Sequence, residues 1–82
     1  MTELAVKDQL LKDAGYVYKP DRELYINRKA RKAFSIDFLE ENSPEEIASK
    51  IHEARPSGEW TFFFTIEPSE SVKRELARLL DA

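Results

Sequence analysis

Eighty-two residues, 41% of them apolar and nine of them aromatic, exclude a disordered chain and leave room for one domain, residues 1–82, burying about 60–65% of its unfolded surface. The absence of cysteine excludes disulfides, thiolate nucleophiles and cysteine zinc sites, and no apolar run approaches the roughly 20 residues that cross a bilayer. The net charge of −3 and the lack of a basic-then-apolar N-terminus point away from a general polyanion binder and a secretory signal, so a cytoplasmic location without membrane contact is expected.

The chain opens with a helix expected over residues 3–14. Thr2 suits the N-cap and Glu3 the positive end of the dipole, while Leu4, Val6, Leu10, Leu11 and Ala14 form an apolar stripe. Gly15 is the natural residue to end it, because it enters the left-handed region without a Cβ penalty. Tyr16–Lys19 and Glu23–Asn27 then predict a β-hairpin around the turn Lys19-Pro20-Asp21-Arg22, where proline presets φ.

Residues 27–34 admit two readings. One is a connection into a third strand at about Lys32–Leu39. The other is a short helix capped by Asn27, with Ala30, Ala33 and Phe34 on one face. Arg28 and Lys29 at the positive end of such a helix would be unfavourable, and Phe34, Ile36 and Phe38 alternate as in a half-buried strand, so the connection is preferred.

Ser43-Pro44-Glu45-Glu46 is a helix start: serine at the N-cap, proline at the first helical position and glutamate where a capping box needs it. Ile47, Ala48, Ile51 and Ala54 make the buried face of this second helix, and Pro56, Ser57 and Gly58 end it. Trp60–Ile66 predicts a strand with Trp60, Phe62, Phe64 and Ile66 on one side. Phe63, among threonines on the other side, suggests a central strand covered on both faces, and it is the aromatic residue whose exposure is open. Ser69 caps a last helix with Val72, Leu76, Leu79 and Leu80 as its stripe.

The order α-β-β-β-α-β-α implies an α+β two-layer sandwich: an antiparallel or mixed four-stranded sheet with helices packed mainly on one face. Within it, Leu24-Tyr25-Ile26-Asn27 followed by Ala30, Phe34 and Ser35 resembles the early part of PAS sensor domains over about a dozen residues. PAS domains usually close with three consecutive strands and this chain offers one, so no ligand function is carried over.

Charge is segregated. Lys19 to Lys32 holds six basic and two acidic residues, whereas Asp37 to Glu46 holds five acidic residues and no basic one. Arg28, Lys29, Arg31 and Lys32, with Tyr25 beside them, are the candidate partner contact. They suit an acidic protein surface, or phosphates with Tyr16, Tyr18 or Tyr25 stacked on a base. The bland alternative is a solvated turn paired with the acidic run. That run lacks the glycine and alternating oxygen donors of a calcium loop. The single histidine, His52, has no second histidine or serine elbow beside it, and two glycines cannot build a phosphate-cradling loop. No catalytic, cofactor or metal site is expected. The reading is a non-enzymatic binding or regulatory module acting through protein–protein contact, with a nucleic-acid-binding accessory domain as the alternative and self-association into a homodimer compatible with either.

Overall fold

The computed structural model describes residues 3–53 and 59–81. The elements run α1 (Glu3–Asp13), β1 (Val17–Lys19), β2 (Leu24–Asn27), β3 (Lys32–Ser35), α2 (Ile36–Glu41), α3 (Pro44–His52), β4 (Thr61–Phe63) and α4 (Glu70–Asp81). The strands form one mixed sheet in the order β1-β2-β3-β4, the first three antiparallel and β4 parallel to β3. A parallel neighbour requires a crossover, and α2 and α3 supply it. The α+β class and the four-stranded mixed sheet are as the pattern implied.

Register explains the two faces. Tyr18, Tyr25, Phe34 and Phe63 lie across from one another on one face, and Val17, Ile26, Ala33 and Phe62 on the other. The first face carries the main core, in which Leu11, Leu39 and Ile47 from α1, α2 and α3 meet Tyr16, Tyr25, Phe34 and Phe63. Phe34 is wholly buried at its centre. It stacks on Phe63 with centroids 4.5 Å apart and meets the edges of Tyr16 and Phe38. The second face is smaller. Leu24, Ile26 and Ala33 are covered by Leu80 of α4, with Trp60, Phe62 and Phe64 packed around them. Three helices therefore lie on one face, and α4 adds a partial layer on the other.

Several local readings change. The region after Asn27 is a turn leading into a strand, but that strand stops at Ser35. The Ser35 hydroxyl accepts from the Phe38 amide at 3.1 Å and caps α2, so Ile36 and Phe38 are helical residues and not strand residues. Leu39, directly after Phe38, is buried in the same core that Ile36 and Phe38 pack against, which adjacent residues of one strand could not do. The last strand covers only Thr61–Phe63 and lies at the sheet edge rather than in the centre. Phe63 is its buried residue and enters the main core, whereas Ile66 is 84% exposed. On α1 the inward residues are Lys7 and Leu11, while Leu4 and Val6 face solvent.

Other signals hold. Gly15 has φ +95° and its amide donates to the Lys12 carbonyl. Ser43 accepts from the Glu46 amide, Pro44 opens α3, and Ser69 accepts from the Val72 amide. Thr2 and the stretch 54–58, expected to cap the first helix and end the second, lie outside the described residues.

Phe34→Ala removes the ring that three aromatic neighbours share. It is expected to cost about 3–5 kcal/mol in urea denaturation followed by circular dichroism. A loss below about 1 kcal/mol would show that Phe34 is not the centre of the core.

Candidate functional site

The basic segment folds as two antiparallel hairpins, β1–β2 and β2–β3, and this geometry sorts its side chains. Asn27 shapes the second turn. Its Oδ1 accepts from the Ala30 amide at 3.0 Å, and its Nδ2 donates to the Ala14 carbonyl at 3.3 Å. Arg31 closes the turn with φ +55°. Arg28 and Lys29 stand at the tip, exposed, and among the described residues neither has an ion-pair partner. Pairing of these two with the acidic run after Asp37 is therefore not what the fold provides.

Arg31 is half exposed, with its guanidinium 3.6 Å from the Asp81 carboxylate at the end of α4. The same carboxylate accepts from the Trp60 indole N–H at 2.9 Å. Arg31 thus joins the turn to the helix on the second face.

Lys32 and Tyr25 do not belong to the surface, which corrects their place among the candidate contacts. Lys32 shares the main face with Phe34, two residues on, and is 3% exposed. Its ammonium donates to the carbonyls of Lys50 at 3.0 Å, Ile51 at 2.8 Å and Glu53 at 2.6 Å. These carbonyls lie where α3 ends, at the negative pole of its dipole, and that of Lys50 is shared with the Glu53 amide. Lys7 does the same for α2, whose last turn has no basic residue of its own: it donates to the Leu39 carbonyl at 2.5 Å and lies 3.4 Å from Glu3. A period-two count from Phe34 places Lys32 toward the core, and this was the signal available in the sequence.

Tyr25 is buried in the main core, and its hydroxyl donates to Asp8 at 2.5 Å. That bond, with help from Lys12 3.1 Å away, holds the Asp8 carboxyl below its ordinary value against the opposing effect of burial. Burial, and then the Asp8 bond and charge, raise the Tyr25 phenol. Tyr16 is pushed up to about 12 by burial. Tyr18 leans on Tyr25 with centroids 4.8 Å apart. The core thus takes up Tyr16 and Tyr25, and the partly buried Tyr18 packs against it.

Beside the free cations lies a groove of about 220 Å³ lined by Gly15, Val17, Lys19, Ile26 and Arg28. Val17 is 55% exposed there. A second hollow, of about 390 Å³, lies between Trp60, Phe62 and α4 and is bordered by three cations and three carboxylates, so its formal charge cancels. His52 is exposed at the end of α3, and the acidic residues of the run are spread along α2 and the start of α3. Among the described residues no group of three His, Cys, Asp or Glu side chains is placed to hold a metal ion, and no helix is long and apolar enough to cross a membrane.

No family model, curated protein sequence or solved structure matches this chain. The resemblance to PAS domains thus rests on its dozen residues alone. Here the asparagine is accounted for by the bond its side chain accepts from the Ala30 amide in the turn.

Two variants test the assignments. Lys32→Met leaves three carbonyls without their charged donor and is expected to lose about 2–3 kcal/mol in urea denaturation. A neutral effect would return Lys32 to the surface. In Tyr25→Phe, the Asp8 carboxyl should titrate closer to its ordinary range by NMR. An unchanged Asp8 titration would mean that Lys12 alone sets it.

Proposed function

We propose that this domain is a small binding module acting through protein–protein contact, in the reducing, cytoplasmic setting that a cysteine-free chain suits. The observation that carries the reading is the pair Arg28 and Lys29. Both are exposed at the tip of a hairpin turn and unpaired among the described residues, beside a groove whose apolar floor includes the exposed Val17. Cations left free beside accessible apolar surface suit an acidic partner, since charge steers the encounter and apolar area retains it.

A protein partner is favoured over nucleic acid by what surrounds the cations. Single-strand binders combine a basic groove with exposed aromatic faces. Tyr16 and Tyr25 are buried, Tyr18 packs on Tyr25, and the Trp60–Phe62 pair borders a hollow of balanced charge. The chain as a whole is acidic, so long-range steering toward a polyanion is unfavourable.

The domain, used as bait in native cell extract, should capture a protein that survives nuclease treatment. The Arg28→Glu, Lys29→Glu double variant should lose that protein while keeping the wild-type melting temperature. Capture unchanged by the double reversal would overturn the reading, and capture abolished by nuclease would favour nucleic acid.

A further inference from the structure

We infer that β1 is the docking edge of this module and that its occupant is an extended acidic segment of a partner protein, added to the sheet as a fifth strand. The inference rests on the protein-binding reading above and names the partner's chemistry.

β1 is at one end of the sheet, and among the described residues no strand pairs with its outer side. An edge strand presents unpaired N–H and C=O groups to any chain that lies alongside. Here the side chains next to that edge form an ordered pattern. Val17 lies opposite Ile26, and Lys19 opposite Leu24, all on the second face of the sheet. Arg28 follows Ile26 by two residues and borders the same groove as Val17 and Lys19. Read along the strand axis, the groove is cation, apolar, cation: Lys19 at one end, Val17 with Ile26 in the middle, Arg28 at the other.

Successive side chains on one face of a strand are two residues apart. A strand laid along β1 therefore matches this pattern with acidic, any, apolar, any, acidic. The apolar residue would cover Val17, and the two carboxylates would meet Lys19 and Arg28. Neither cation has an ion-pair partner among the described residues.

A second copy of the chain fits less well. Pairing β1 with β1 would bring Lys19 and Arg28 of one copy up to the same cations of the other, which is unfavourable. Lys19 and Pro20 at the end of β1 also keep the edge from pairing with arbitrary strands. The same lysine would select the acidic partner.

The probe is the capped peptide Thr-Glu-Thr-Val-Thr-Glu-Thr, titrated to ~1 mM into the isotope-labelled domain. Binding should shift the amide resonances of Val17, Tyr18 and Lys19 and slow their hydrogen exchange. Methylating alternate peptide nitrogens, which removes backbone donors, should abolish it. The Lys19→Glu, Arg28→Glu variant should bind about tenfold more weakly or worse, and the peptide with lysine in place of both glutamates should recover binding to that variant. The melting temperature of the variant establishes that it is folded.

Shifts elsewhere than β1, or insensitivity to the charge reversal, would overturn the proposal, as would silence at the highest peptide concentration. If the peptide fails while capture from extract still depends on Arg28 and Lys29, strand addition is wrong and the protein-binding reading stands. If both fail, that reading falls too. Concentration-dependent dimerisation through β1 without added peptide would assign the edge to a second copy instead.

Discussion

Lys32 stands at the first position of β3 and reaches three carbonyls where α3 ends, and the arrangement of the domain follows from that contact. The chain leaves the sheet at Ser35, runs through α2 and α3, and returns beside β3, with the Thr61 amide donating to the Arg31 carbonyl at 2.9 Å. The helical crossover is thus held at its far end by the strand it left. A buried ammonium is costly unless its donors are met. Here all three protons have acceptors, the carbonyls of Ile51 and Glu53 at the end of α3 and that of Lys50, which also accepts from the Glu53 amide. Lys7 repeats the device between α1 and the last turn of α2. Two lysines therefore join helix ends to neighbouring elements around an apolar core.

That use of charge bears on function. The basic segment divides by register and by turn position. Strand residues facing the main core, Tyr25 and Lys32, are structural. Arg31 braces the turn against Asp81 of α4. Arg28 and Lys29, at the tip, and Lys19, beside the groove, have no ion-pair partner among the described residues. The segment's excess of four positive charges includes Lys32, which is 3% exposed, so its surface charge is smaller than the sequence total implies. A small basic patch on an acidic domain suits one acidic partner better than a polyelectrolyte.

What could be read from sequence was local chemistry with a single outcome. Gly15, Lys19-Pro20-Asp21, Ser43-Pro44 and Ser69 each carry one physical role, and each lies where it was expected. Ser35 has two. As the polar member between Phe34 and Ile36 it completes an alternating strand, and as a hydroxyl before Ile36-Asp37-Phe38 it caps a helix. The cap prevails because helical turns bring Leu39 inward to the core. Trp60–Phe64 alternates as a strand should, but alternation does not say which face meets the larger layer. With three helices on the opposite side, Phe63 and not its neighbours enters the main core. The inward direction of Lys32 was legible from its two-residue spacing to Phe34, but its partners were not. Lysine is rarely buried without a partner, and the carbonyls of Lys50, Ile51 and Glu53 are eighteen or more residues from Lys32, beyond any local pattern.

The central claim is that the fold separates the lysines of one short segment into structural and free. Side-chain ammonium NMR at neutral pH tests it directly, because an ammonium held by carbonyls away from water keeps its protons and an exposed one exchanges them. The account predicts a persistent Lys32 ammonium resonance and none from Lys29. Equal loss of both signals to exchange would contradict it.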